Sequence, residues 1–209
     1  MKIEESYPQP HLDRLLREIA LGDGKTFIPF KDKEGELFEV SSLYLTPYQN
    51  NDWETPTLTL GSWRPGNSKP IGCLHFWIYE SENRARCSVM PPPELPDFIL
   101  PNKHFATLWS DLIASNQFVG IKIIPDEQEK GIGSLMWSLG LSALKILQLT
   151  SCRLSKDGTS PRDPHDNNRS FYVHTTLGTE NTPLHTAYNY DLPVGLTDTM
   201  KHRILRHMA

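Results

Sequence analysis

The stretch IKIIPDEQEKGIGSLMW, residues 121–137, decides how this chain folds and what it can bind. A run of apolar residues ends at Pro125, a polar loop follows, and Gly131 and Gly133 open a helix. Because glycine has no Cβ, successive N–H groups can turn toward one point. The first helical turn adds unpaired donors and the positive end of the helix dipole. The stretch therefore predicts a backbone cradle for a phosphate-type anion.

Two other interpretations of these glycines remain open. They can shape a tight turn between a strand and a helix without binding anything. They can also belong to a different nucleotide cradle. A dinucleotide fingerprint, however, needs a third glycine where Met136 stands, and a P-loop needs GK[ST], which this stretch lacks.

The flanking sequence predicts a mixed α+β fold around this stretch. Apolar residues at helical spacing indicate helices over 11–21, over 104–114 and from Gly133 onward, with a buried stripe that continues to Leu147. A strand over 149–154 follows, so that strand, loop, helix and strand form a βαβ unit. Runs of β-branched and aromatic residues upstream predict an antiparallel meander. Its strands are expected at residues 25–30, 36–45, 55–63, 71–79 and 84–90.

The length of 209 residues suits one domain, which we expect over residues 1–209. With 21 Lys and Arg against 25 Asp and Glu, the net charge is -4, so neither nucleic acid nor a membrane is expected as a partner. The amino terminus has no leader-like pattern and no long apolar run occurs, which predicts a cytoplasmic protein. Neither the three cysteines nor His165, His202 and His207 have ligand spacing, so no metal is expected.

The stretch at 121–137 resembles the central motif of the GNAT superfamily of N-acetyltransferases. In that motif a strand runs into a proline and then into Q/R-x-x-G-x-G/A at a helix start. Gln128, Gly131 and Gly133 occupy the motif positions, and Pro125 lies at the family's usual distance before them. The resemblance implies a mixed, mostly antiparallel central sheet flanked by helices, with a central βαβ unit. It also implies acetyl-CoA or another short acyl-CoA as the co-substrate.

A second, downstream resemblance involves a short helix that begins with asparagine. Asn167, Ser170, His174 and Gly178 fill the family's positions for an asparagine, a small residue, an aromatic and a glycine. The motif-bearing core thus covers 118–178, while 1–100 supplies the amino-terminal helix and the antiparallel strands. The resemblance implies a cofactor site with the diphosphate on 128–134 and the pantetheine arm along 121–123. Its residues are Ile121, Lys122, Ile123, Gln128, Glu129, Lys130, Gly131, Ile132, Gly133, Ser134, Asn167 and Ser170.

The family's usual general acid, a tyrosine on this short helix, is replaced by His174. Tyr172 is close in sequence, but two residues along a helix correspond to a rotation of about 200°, which turns it away from the face of Asn167 and Ser170. An imidazole with a pKa near 6.5 can donate a proton to a departing thiolate. We therefore assign the general acid to His174, with Tyr172 as the alternative; a histidine that only caps or packs on the helix remains open.

The place of the family's frequent catalytic glutamate is held by Gln117, which cannot act as a base. Asp111, Glu80 and Glu82 are other candidates, although each also fits a solvated surface carboxylate. The resemblance implies direct attack by an amine, carried by a small molecule or a protein. A non-catalytic module that binds coenzyme A or another protein is the alternative. We expect a β-branched residue at Gly131 to abolish coenzyme A binding and leave the fold intact.

Overall fold

The computed structural model describes residues 9–46, 55–87, 97–114, 121–155 and 189–208. Within these ranges the chain forms one mixed sheet flanked by four α-helices, as the α+β prediction requires. The helices are α1 (Gln9–Ala20), α2 (Lys103–Ala114), α3 (Ile132–Ile146) and α4 (Asp198–His207). The strands are β1 (Ile28–Lys31), β2 (Leu37–Leu45), β3 (Thr57–Trp63), β4 (Pro70–Tyr79), β5 (Arg84–Cys87), β6 (Ile121–Ile123), β7 (Ser151–Ser155) and β8 (Asn189–Pro193).

The first five strands form the predicted antiparallel meander, with each strand paired to the next. A single 3-10 turn, Glu80–Glu82, joins β4 to β5 and closes the predicted hairpin. Asn83 ends this turn in the left-handed conformation, with φ 49°, which asparagine tolerates better than most side chains. Helices at the predicted positions of α1 and α2 are also confirmed.

One position in the sheet, beside β4, is filled by two strands in succession. β5 ends at Cys87, which lies opposite Phe76, and β6 begins at Ile121, which lies opposite Leu74. Only His75 separates these two partners on β4, so the intervening segment, which contains α2, is inserted into one strand position. Both strands run antiparallel to β4 and therefore in the same direction as each other.

β5 and β6 differ in their second neighbour. β5 pairs in parallel with β7, and β7 pairs antiparallel with β8, whereas β6 pairs only with β4 among the described residues. The sequence predicted a strand covered on both faces over 118–124. In the structure, the three residues of β6 are only half-buried, because no strand in the described part of the chain lies along one of its edges. Residues 118–120 lie outside the described residues.

The two faces of the sheet carry different layers. Alternate residues of β4 point to opposite faces. Leu74 and Phe76 join a core with α1, α3 and α4, while Cys73 joins a smaller core with α2. α3 is buried along almost its whole length, more widely than the predicted stripe, because the sheet, α1 and α4 all pack around it. In the part of the chain that the structure describes, no helix has the length and apolar character that a membrane span requires.

Candidate functional site

One edge of β6 faces no strand among the described residues, and this open edge presents backbone hydrogen-bonding groups. The N–H of Ile124 donates to the carbonyl oxygen of Ile71 on the neighbouring strand at 3.0 Å. Hydrogen-bonded residues alternate along an antiparallel strand, so Lys122, two residues earlier, also turns its N–H and C=O groups toward β4. The N–H and C=O groups of Ile121 and Ile123 therefore point away from β4. An extended ligand that contains amide groups can pair with them in the manner of an added strand.

A short loop carries the chain from β6 to α3. It starts with a 3-10 turn, Pro125–Glu127, and the side-chain amide of Gln128 then donates to the carbonyl oxygen of Ile123 at 3.1 Å. This bond ties the loop to the end of β6. It also uses one outward-facing acceptor of the strand, so that the carbonyl of Ile121 and the N–H of Ile123 remain for a ligand.

The loop ends in an alternating backbone conformation. Glu129 and Gly131 have positive φ angles, 67° and 89°, whereas Lys130 between them does not. The left-handed Gly131 directly precedes the right-handed helical residue Ile132, and such a pair of conformations turns successive N–H groups toward one point and makes an anion-binding concavity, as in phosphate loops. The left-handed conformation costs a residue with a Cβ roughly 1–2 kcal/mol, so glycine is the residue best suited to position 131.

The amino terminus of α3 continues this concavity. Gly131 is the N-cap and has no side chain that could accept a hydrogen bond from the first turn. The first helical bond runs from the N–H of Leu135 to the carbonyl of Gly131 at 3.0 Å. Helical geometry leaves the preceding N–H groups, those of 132–134, without an intrahelical partner. Together with the helix dipole, these donors favour an anion at this point.

An ion-pair network holds the loop against the β1–β2 turn. The Nε of Arg64, which follows β3, donates to Glu127 Oε1 at 3.0 Å, and its Nη2 also bonds the same carboxylate. Nη2 further donates to Asp32 Oδ2 at 2.8 Å, and Asp32 Oδ1 accepts the N–H groups of Glu34 and Glu36. The guanidinium thus joins the turn to the loop.

The charges of this network are mutually compensated. Arg64, followed by Lys130, holds the pKa of Glu127 below its usual range. Burial alone would raise the pKa of Asp32, but the hydrogen bonds from Arg64 and from two backbone N–H groups outweigh it and lower that pKa. The pKa of Arg64 is raised, chiefly by Glu127. All three groups are therefore charged at neutral pH.

Lys130 belongs to the same network and does not point its ammonium at a free anion site. Its Nζ lies 3.3 Å from Glu127 Oε2, 3.6 Å from Glu34 and 3.8 Å from Glu36. The carboxylate oxygens of Asp32, Glu34 and Glu36 lie within 4.8 Å of one another, a spacing that a cation could use. Arg64 and Lys130 already form ion pairs with all three carboxylates, so we assign no metal to them.

The space beside Gly131 is occupied by two other side chains. A Cβ built on Gly131 would lie 2.9 Å from Cε1 and 3.0 Å from Nε2 of His207, and 3.3 Å from Cε of Lys33. A β-branched residue there would collide with α4 as well as adopt a positive φ. We therefore expect such a substitution to destabilise the fold as well, so the position cannot test binding alone.

These features agree with the overall similarity of the chain to solved structures. A cAMP-binding acyltransferase from Mycobacterium smegmatis, solved as a point mutant, matches with a TM-score of 0.51 at 15% identity, over 95% of this chain and 62% of that protein. The chain has a GNAT-like acyltransferase fold. The same enzyme without the mutation matches with a TM-score of 0.48 at 14% identity, over 96% of this chain and 62% of that one. No protein-family model matches the chain, and no curated protein matches its sequence.

The structure brings part of the predicted site together. Ile121, Lys122 and Ile123 form β6, and the loop and first turn of α3 contain the remaining described members, which are Gln128, Glu129, Lys130, Gly131, Ile132, Gly133 and Ser134. The side chain of Lys122 points to the α2 face of the sheet, because its partner Cys73 does. Ile132 is buried in the core, so only its backbone can serve the cradle.

The second predicted group lies outside the described residues. It comprises Asn167, Ser170, Tyr172 and His174, together with Gln117, the residue at the base position. The other three candidate bases are described, and all of them are exposed to solvent, in agreement with surface carboxylates: Glu80, Glu82 and Asp111. Glu82 forms an ion pair with Arg84.

Three residues near the loop were missed by sequence reasoning: Lys33, Arg64 and His207. They lie far from the motif in sequence and reach it only through the fold, so no local pattern marks them. The one available signal was the turn sequence KDKEG at 31–35, in which an aspartate and a glycine indicate a tight turn. That signal predicts a turn but not the surface on which it rests.

A buried histidine on the other face of the sheet was also missed. His75 is 2% exposed, and its Nδ1 shares a hydrogen bond of 2.7 Å with the hydroxyl of Thr59. Its ring packs edge-on against Trp77 and Trp109, with centroids 5.8 and 5.7 Å away. Burial lowers the pKa of His75 to about 3, so the ring is neutral at physiological pH.

Proposed function

We propose that this chain is an acyltransferase that binds an acyl-CoA and transfers its acyl group to an amine. One observation carries the proposal: the open edge of β6 leads directly into an alternating loop and an uncapped helix start. A linear amide chain that ends in a diphosphate fits this order of donors and acceptors. The acyltransferase fold of the structural neighbour supports the same class of reaction.

In this proposal the backbone does most of the binding. The outward groups of Ile121 and Ile123 pair with the amides of the pantetheine arm, and the N–H groups from Glu129 to Ser134 hold the diphosphate. Fixed backbone donors need no long side chains to be ordered, which keeps the entropic cost of binding low. A strand N–H near the thioester can stabilise the negative charge that develops on its carbonyl oxygen.

The chemistry that remains is orientation and proton transfer. An amine attacks the thioester carbonyl carbon, the carbon–sulfur bond breaks, the attacking nitrogen releases a proton to solvent, and the thiolate takes up a proton. We assign that proton to His174, with Tyr172 as the alternative. Holding the thioester and the amine together supplies a large part of the rate, so a dedicated base is not required. We propose acetyl-CoA or another short acyl-CoA as the donor, and a small molecule or a protein as the acceptor.

Gln117 at the base position and His174 at the acid position favour a second candidate: a module that binds coenzyme A or another protein without turnover. Incubation with acetyl-CoA and a panel of amines and peptides, followed by mass spectrometry, separates the two. Acylated product that forms faster than in a protein-free control supports the enzyme. Coenzyme A binding with no product on any acceptor contradicts the enzyme and supports the module.

A further inference from the structure

His207, near the carboxyl terminus, is built into the wall of the loop. Its side chain is only 4% exposed, and its Nδ1 lies 2.6 Å from the carbonyl oxygen of Lys31 on β1. Because a carbonyl can only accept, Nδ1 carries the hydrogen of this bond. The other nitrogen, Nε2, lies against Gly131 and has no hydrogen-bond partner within the described residues.

Lys33 reaches the same point from the β1–β2 turn. Its backbone N–H donates to the carbonyl of Lys130 at 3.0 Å, which anchors the turn on the loop. Its Cε passes 3.3 Å from the position of a Cβ on Gly131. In contrast to Lys130, its ammonium forms no ion pair with any described residue. Among the described residues, an ammonium outside any ion pair and a ring nitrogen of a largely buried histidine, with no hydrogen-bond partner, thus flank the N-cap of α3.

We infer that Lys33 and His207 form the cationic side-chain wall of a diphosphate site whose opposite wall is the backbone of 129–134. The inference rests on the proposed function, since it assigns these residues to the diphosphate of the acyl-CoA. It extends that function, because the loop alone would bind an anion independently of pH. The ring of His207 makes the affinity depend on protonation.

The direction of this dependence follows from the groups that face the ring. Burial lowers the pKa of His207, and Arg206 on its own helix and Lys33 on the turn lower it further. The Lys31 carbonyl and Asp32 act in the opposite direction. The free protein therefore holds a neutral ring at neutral pH. A bound diphosphate raises the pKa, so binding takes up a proton and the affinity increases as the pH falls.

The test is calorimetric titration with 3′-dephospho-coenzyme A at pH 5.5 and pH 7.5. This probe keeps the diphosphate, which is fully ionised at both values, and lacks the 3′-phosphate, whose second ionisation near pH 6 would obscure the effect. The wild-type affinity should be about three- to tenfold higher at pH 5.5, because one unit of pKa shift corresponds to a tenfold change in affinity. Lys33→Met should weaken binding about three- to tenfold at both pH values.

The variants of His207 are chosen to preserve packing. In His207→Asn the amide can still donate to the Lys31 carbonyl but does not reach the position of Nε2, so the pH dependence should disappear. His202→Asn, on the exposed face of the same helix, and Lys25→Gln, in the α1–β1 connection, are the matched controls and should bind like the wild type. Thermal melts confirm that each variant is folded.

The outcomes separate this inference from the proposed function. Loss of the pH dependence in His207→Asn, together with weaker binding by Lys33→Met, supports the cationic wall. If both variants bind the probe with the affinity and pH dependence of the wild type, the assignment of Lys33 and His207 to the site is wrong, while the proposed function still holds. No binding of the probe by the folded wild type at either pH overturns both.

Discussion

At the residue scale, the candidate site depends on backbone conformation more than on side-chain charge. Glu129 and Gly131 share the left-handed region, with φ 67° and 89°, but Gly133 is an ordinary helical residue. The sequence motif treats the two glycines alike, whereas the structure gives them different tasks. Gly131 allows the turn and makes room for His207, whereas a Cβ at Gly133 would make only ordinary contacts with β6.

This difference predicts unequal effects of alanine at the two positions. Gly131→Ala should lower the free energy of unfolding by about 1–2 kcal/mol, because the Cβ adopts a positive φ and meets the His207 ring. Gly133→Ala places its Cβ 3.4 Å from Ile123, an ordinary contact, and should leave stability unchanged or raise it by up to about 1 kcal/mol. Urea denaturation measures both values, and equal losses would contradict the assigned roles.

His174 carries the catalytic prediction at this scale. If it is the general acid, His174→Ala lowers kcat roughly 10- to 1000-fold with coenzyme A affinity nearly unchanged, as expected for one positioned proton donor. Tyr172→Phe should have little effect, because the spacing of the helix predicted from the sequence turns position 172 away from the face of Asn167 and Ser170. Steady-state kinetics with the identified acceptor measure kcat for both variants. A large loss of kcat in Tyr172→Phe with no change in His174→Ala would contradict the assignment.

At the element scale, the sequence predicted well wherever local patterning sets the structure. The meander, α1, α2 and the strand-loop-helix order at 121–146 all follow from periodicity and turn residues, and all are confirmed. The burial of β6 was predicted less well. An apolar run at 118–124 does not reveal whether a second strand lies beside it, because that depends on where β7 pairs.

The network around Arg64 shows what local patterning cannot predict. Its partners Asp32 and Glu127 come from the β1–β2 turn and from the loop before α3, and only the register of the sheet brings them together. Judged from the sequence alone, each of these residues fits a charged side chain exposed to solvent. The network matters for the site, because it fixes the loop whose backbone forms the cradle.

Removal of this guanidinium should therefore destabilise the protein. Arg64→Met leaves the fully buried Asp32 carboxylate without its partner, and we expect a loss of about 3 kcal/mol at pH 7 in urea denaturation. Arg14→Met breaks an exposed pair with Glu18 and should cost less than about 1 kcal/mol. Equal effects of the two changes would show that the Arg64 network is not structural.

The same variant has a predicted pH dependence. The carboxyl pKa values of Asp32 and Glu127 are lowered in the folded state, so their stabilisation is present above the unfolded values of about 4 and is lost as the pH falls through the lower folded values. The difference in stability between wild type and Arg64→Met should therefore shrink below about pH 4. A constant difference down to pH 2 would contradict this account.

At the scale of the whole molecule, one sheet separates two unlike layers. α1, α3 and α4 form the larger core, and α2, inserted between β5 and β6, covers the other face. The sequence indicated the inserted helix but not the face on which it packs, because a helical stripe does not identify its partner. As a result, His75 was not recognised as a buried group beneath α2.

The burial of His75 makes the global stability sensitive to acid. The unfolded chain takes up a proton at this residue near pH 6.5, whereas in the folded protein the pKa is about 3, so acid favours unfolding between these values. The free energy of unfolding should fall by up to about 1.4 kcal/mol per pH unit in this window. His75→Asn can keep the bond to Thr59 without titrating, and its slope should be smaller. Identical slopes in denaturation at pH 4 to 7 would contradict burial of a neutral ring.

The most direct test of the central claim is calorimetric titration of coenzyme A into three proteins. Ser134 lies in the first turn of α3, where a carboxylate stabilises the helix but repels a diphosphate. We predict that wild type and Ser134→Gln bind coenzyme A with similar affinity, and that Ser134→Glu, with an equal or higher melting temperature, binds at least about tenfold more weakly. Equal affinities of the Gln and Glu variants, or no binding by the folded wild type, would contradict a coenzyme A site at the start of α3.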